Sequence, residues 1–214
     1  MEDVFKIILA LVPIITAITL HEAAHGWVAF KLGDSTAKDL GRITVNPIKH
    51  IDPLGTVIIP VVMIIVTGYA FGYAKPVPVD VRNFEHPQKD MALVALAGPL
   101  SNFIMAIFWT FLLMVVHKFM PQGAVTNAAS YMAGIGVIIN IVLMVINLLP
   151  MLPLDGGRIV MGVLPFKWAT VFVRSESFGM WLVILLLVTG ILGKILMPMV
   201  QMVQKNLFSI FGLA

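Results

Sequence analysis

Apolar residues along this chain fall into five long runs, at about 4–30, 54–72, 91–117, 130–152 and 178–197. A helix needs about 20 residues to cross a bilayer core, so the pattern predicts an α-helical polytopic membrane protein. Polar stretches between the runs are too short to form an independent domain, so residues 1–214 are expected to form one domain. The second run is atypical, with Pro60 near its middle and Gly68 and Gly72 near its end. It is expected to be a re-entrant or hairpin element, which is tolerated only where protein shields its backbone. That leaves about four full spans. Two polar connections have a strand-like pattern: Tyr73 to Val79, and residues near 36–46 that include Gly41-Arg42-Ile43-Thr44-Val45. Together they predict a small membrane-associated β element, although a Pro-rich connecting loop fits 73–79 equally well. In the tail from Met199 to Ala214, Val200, Val203, Leu207 and Phe211 share one helical face. Such a helix either lies in the interface or continues the last span.

Composition supports the membrane assignment. Hydrophobic residues make up 59% of the 214 residues, against about 45–50% in soluble domains. The short acidic start, followed directly by a run that carries functional residues, does not resemble a cleavable signal. Cysteine is absent, which excludes disulfides and thiolate-bound metal and leaves His, Asp and Glu as ligands. The basic residues are scattered through the loops and do not interleave with aromatics, so nucleic acid is not an expected partner.

Within the first run, from Ile7 to Phe30, the only ionisable residues are His21, Glu22 and His25. A charge inside a span costs roughly 2.5–3.5 kcal/mol on insertion scales, so three such groups in one turn imply a function. Histidines at i and i+4 share a helix face and can bind one Zn²⁺, with the intervening glutamate acting as general base. The segment therefore has the pattern of a metalloprotease motif.

A catalytic zinc keeps three protein ligands and one exchangeable water. Asp155 is the candidate third ligand. It is the only acidic residue between Asp90 and Glu176, and it ends a charge-free stretch from Phe119 to Leu154. The alternative role for Asp155 is to cap a helix or turn ahead of Gly156-Gly157. Topology bears on the choice. If 54–72 turns back, Asp155 emerges on the same side as the histidines, and that side carries ten Lys and Arg against four on the other. If all five runs cross, the two sides carry seven each. The ten-to-four split makes the histidine side cytoplasmic and puts both termini outside. The expected location is the cell membrane, with the active site towards the cytoplasm.

These features resemble the site-2 protease family of intramembrane zinc metalloproteases. The matching motifs are His21-Glu22-Ala23-Ala24-His25, Ala97-Gly98-Pro99-Leu100-Ser101-Asn102, and the run from Asn147 through Leu154-Asp155-Gly156-Gly157. Gly72 to Val79 is similar to a short branch of the family, without the extra leading span, PDZ insertion or CBS domain of larger members. The resemblance implies His21, His25 and Asp155 as ligands to one Zn²⁺ per chain, Glu22 as the base, and Asn147 as an aid to substrate binding. Asn102 is expected either to point at the site or to bond a neighbouring helix.

A transmembrane substrate must be unwound before its peptide bonds are exposed, and a strand edge can hold it extended. Pro76 and Pro78 remove the donors from one edge of 73–79, while Lys75, Val77 and Val79 keep the other edge intact. The expected activity is therefore cleavage of transmembrane or signal-peptide-like segments in the lipid bilayer. Two alternatives use the same His/Asp site: a membrane metal-ion transporter, and a metallohydrolase acting on a non-peptide bond. A transporter has no use for the base and usually shows paired repeats, which are absent here.

Overall fold

The architecture comes from a computed structural model that describes residues 2–52, 55, 58 and 75–213. The expected re-entrant element at 54–72 lies outside the described residues, apart from Gly55 and Ile58. Helix α1 spans Glu2–Lys31 and is followed by a single helical turn, α2, at Thr36–Asp39. Two long helices come next, α3 at Pro87–Phe119 and α4 at Ala124–Asn147. The last third of the chain is broken into four pieces: α5 (Asp155–Val163), α6 (Phe166–Val173), α7 (Glu176–Val188) and α8 (Ile191–Ile210).

Three helices, α1, α3 and α4, are long and apolar enough to cross a membrane, which makes this a multi-pass membrane protein. Helix α3 is the central rod and packs on α1, α4 and α5. The shared core joins Ala17 of α1, Trp109 and Leu113 of α3, Val137 and Ile141 of α4, and Leu192, Val200 and Leu207 of α8. Glycine allows the closest approach: a side chain at Gly136 would run into the Trp109 indole. Small residues at helix crossings serve membrane packing in this way.

The fourth expected span, at 178–197, is not one rod. Helix α7 has 13 residues, about 20 Å at 1.5 Å per residue, against a core of about 30 Å. It stops at Thr189, whose Oγ1 donates to Leu185 O at 2.8 Å, and Gly190 then turns the chain at φ 70°. The stretch reaches spanning length only as the bent pair α6–α7, whose axes meet at 57°. The face formed by Val200, Val203 and Leu207 in α8, with Phe211 just past its end, turns inward, and Val200 and Leu207 are buried against the bundle.

No strand occurs among the described residues, so the expected β element needs correction over 36–46 and 75–79. Local capping explains the first stretch. The Asp34 carboxylate accepts from Thr36 N and from the Thr36 hydroxyl, which nucleates α2. Asn46 likewise accepts from Ile48 N and starts a 3-10 turn at Pro47–Lys49. Side-chain caps of this kind compete directly with sheet formation. Residues 75–80 do run without helix or turn, but side chains and one loop carbonyl hold them, not a neighbouring strand. Lys75 N donates to His50 O at 3.0 Å, and Arg42 Nη2 donates to Lys75 O at 2.8 Å. Asp80 N donates to Asp34 Oδ2 at 2.8 Å.

Candidate metal centre

The i, i+4 spacing in α1 points both imidazoles at one spot. His21 Nε2 and His25 Nε2 are 3.0 Å apart. Asp155 Oδ2 closes the triangle, at 3.3 Å from His21 Nε2 and 3.4 Å from His25 Nε2. Among the described residues this is the one group of three or more His, Cys, Asp or Glu side chains that can hold an ion. The three side chains are 10%, 12% and 14% exposed, which shields the centre while leaving some access for water.

Each corner of the triangle has its own support. His25 Nδ1 donates to Val94 O at 2.7 Å, and His21 Nδ1 donates to Asn102 Oδ1 at 2.6 Å. With Nδ1–H occupied, each ring turns an Nε2 lone pair towards Asp155. Asp155 stands in the first turn of α5, where a carboxylate is favoured. Behind it the chain from Leu148 to Leu154 folds back over the helix start. A side chain at Gly156 would strike the Leu148 and Leu149 carbonyls, and one at Gly157 would strike the Met151–Leu152 backbone. The far end of α5 is anchored by Gln88 of α3, whose Nε2 donates to Met161 O and Leu164 O at 2.5 and 2.6 Å.

The donor set fits zinc. Two lone pairs and a carboxylate oxygen within 3.4 Å of one another repel unless a cation lies among them. Asp155 Oδ2 is buried and accepts no hydrogen bond. Tetrahedral Zn²⁺ with bonds of about 2.0–2.2 Å separates its ligand atoms by roughly 3.3–3.5 Å, close to the three distances found.

Glu22 is half-buried on the same turn as the histidines, and its Oε2 accepts from Val77 N at 3.0 Å. The run at 75–80 is thereby brought to the motif. The edge left intact by Pro76 and Pro78 faces inward, and two of its donors are engaged within the chain, Lys75 N by His50 O and Val77 N by Glu22. Val77 is buried, Val79 half-buried and Lys75 exposed. Asn102 is fully buried. Besides His21 it touches Ala17 O and Asn140, so it bonds both the site and a neighbouring helix. Asn147 is half-buried at the end of α4 and donates to Leu143 O at 3.0 Å.

Two contributors escaped the sequence analysis. Val94 acts through a main-chain oxygen, which any residue supplies. Gly98 acts by lacking a side chain: a Cβ there would overlap the His21 and His25 rings. The Ala-Gly-Pro step in a long apolar helix was the available signal.

The nearby loop carries a second buried acid. Burial pushes the Asp34 carboxyl up, but donors from Thr36, Asn83 and Asp80 outweigh it and hold the group below the ordinary carboxylate range. Asp80, gripped by Arg82, is lowered to about 2.

Comparison with known proteins agrees with this geometry. Over 203 residues the chain is 38% identical to YwhC of Bacillus subtilis strain 168, a protein named as a zinc metalloprotease, covering 94% of this chain and 90% of that one. The chain belongs to peptidase family M50, the site-2 protease family. The model of peptidase family M50 matches residues 116–189, a stretch that includes Asp155. Rip2 of Mycolicibacterium smegmatis, also named as a zinc metalloprotease, is 27% identical over 179 residues, which is 83% of this chain and 66% of Rip2. No solved structure matches the chain. Membership of M50 makes this a zinc metalloprotease, consistent with its three membrane-crossing helices.

Proposed function

We propose that this chain is an intramembrane zinc endopeptidase that cuts peptide bonds within or near transmembrane helices, with His21, His25 and Asp155 holding one Zn²⁺ and Glu22 as general base. The observation that carries the reading is the convergence of two Nε2 atoms and one carboxylate oxygen within 3.4 Å, each ring oriented from behind. When bound, the ion acidifies its water and polarises the scissile carbonyl. Glu22 removes the water proton and returns it to the leaving amine. The Val77 N–H at Glu22 Oε2 fixes the carboxylate beside the histidines. The substrate is taken in extended form beside Lys75, Val77 and Val79, through contacts other than the Lys75 and Val77 N–H groups, which already bond His50 O and Glu22, with Asn147 at the end of α4 aiding binding and Asn102 supporting His21 from within. Substrates are single-span or signal-peptide-like helices in the cell membrane, approached from the cytoplasmic side, where ten of the fourteen Lys and Arg lie in this topology.

Two variants test the proposal in purified full-length protein. Glu22→Gln is expected to abolish cleavage of a model transmembrane substrate while zinc content stays at the wild-type level. Asp155→Ala is expected to lose the zinc. Wild-type cleavage by the first variant, or full zinc content in the second, would overturn the assignment.

A further inference from the structure

The two histidines obtain their proton arrangement in different ways. His25 Nδ1 faces a main-chain carbonyl, Val94 O, which can only accept. That contact alone puts the proton on Nδ1 and leaves Nε2 bare. His21 Nδ1 faces the side-chain amide of Asn102, which offers an acceptor on one side and donors on the other. If that amide turned over, its NH₂ would meet Nδ1, the ring proton would move to Nε2, and the lone pair needed at the centre would be lost.

The packing around Asn102 decides which way its amide faces. Asn102 Nδ2 donates to Asn140 Oδ1 at 3.0 Å and to Ala17 O at 3.3 Å. Asn140 has its own two-way choice, and Gly136 O decides it by accepting from Asn140 Nδ2 at 2.8 Å. Gly136 O belongs to the main chain of α4 and cannot donate. Two main-chain carbonyls therefore set the direction at Asn102, Ala17 O directly and Gly136 O through Asn140, and it runs on through His21 Nδ1 to the bare Nε2. Both asparagines are 0% exposed, so water cannot substitute for either partner. A turned amide in this setting strands donors and acceptors at a cost of about 1–3 kcal/mol each.

We infer that Asn140, on α4 and remote from the donor triangle, is a positioning residue that, by offering Asn102 Nδ2 a nearer acceptor than Ala17 O, sets the tautomer of His21 through Asn102. The inference rests on the zinc reading above. Outer partners of metal-bound histidine typically contribute 10–100-fold in metal affinity, and the relay assigns such a share to Asn140.

The test is zinc affinity, by chelator competition, in four full-length proteins: wild type, Asn140→Leu, Asn102→Asp and the double variant. The Co²⁺ absorption spectrum is read alongside. A carboxylate at 102 accepts from either of its oxygens, so it needs no instruction from 140. Asn140→Leu is expected to lower affinity at least 10-fold in the wild-type background and to change the Co²⁺ spectrum. The same change made on Asn102→Asp is expected to leave affinity within about 2-fold. Wild-type affinity in Asn140→Leu would overturn the inference. So would an equal loss in both backgrounds, which would mark Asn140 as a packing residue only. If Asn140→Leu loses its thermal transition, Asn140→Ala carries the same prediction without added bulk. A wild-type protein that binds no zinc, or an Asp155→Ala variant that keeps it, would overturn the metal centre and the relay together.

Discussion

Asp34 shows how much one side chain can organise. It is fully buried, and its two oxygens gather Thr36, Asn83 and the Asp80 main chain, so the segment after α1 is tied to the run at 75–83. Those donors favour the charged form and depress the pKa in the fold relative to an unfolded chain, where it is about 3.9. A depressed carboxylate contributes stability that is fully present above the unfolded pKa and disappears as pH falls through the folded one. The difference in thermal transition between wild type and Asp34→Asn is therefore expected to be largest at pH 6 and to shrink steadily from about pH 4 downward. A difference independent of pH would contradict this. The sequence made other single residues conspicuous for a related reason. His21, Glu22, His25 and Asp155 were legible because ionisable groups are expensive in apolar stretches. Asn102 was legible as two options, and it does both things because an amide has two ends. Val94 was not legible, since a carbonyl oxygen carries no sequence signature.

At the scale of elements, α3 determines how close α1 can come. Gly98 leaves the space filled by the two imidazoles. Gly98→Ala is expected to push α1 and α3 apart and to abolish zinc binding, while far-UV circular dichroism stays helical. Zinc retention at the wild-type level would show that the rings have room to move. Helices α1, α3 and α4 were visible as long apolar runs because nothing inside them competes with the helix. Even Pro13 in α1 and Pro99 in α3 are accommodated within the rods. The remaining elements depended on short-range contacts. Asp34 and Asn46 override the β-branched Ile43-Thr44-Val45, and Gly190 splits the last apolar run through one left-handed residue. Capping groups and a single dihedral angle leave hydropathy almost unchanged, so run-length arguments pass over them.

For the whole molecule, the antiparallel pair α3–α4 carries the chain out and back, so Asp155 returns to the end of the bundle that holds His21 and His25. The shared end agrees with the parity expectation in which 54–72 turns back, a stretch that lies outside the described residues apart from Gly55 and Ile58. The proposed sidedness rests on the count of loop Lys and Arg. Because the chain has no cysteine, single introduced thiols report cleanly. Lys49→Cys and Lys167→Cys are expected to react with impermeant reagent only from the cytoplasm, and Gln122→Cys only from outside. Labelling of Lys49→Cys and Gln122→Cys from the same side would refute the topology. The run at 75–80 has one more consequence. The bonds from Arg42, His50, Glu22 and Asp34 all reach main-chain atoms of the run, of Lys75, Pro76, Val77 and Asp80. Its register is locked, while the Lys75 side chain is exposed. On the proposed reading, exchanging the exposed Lys75 side chain is expected to change which substrates are cut while zinc content stays at the wild-type level.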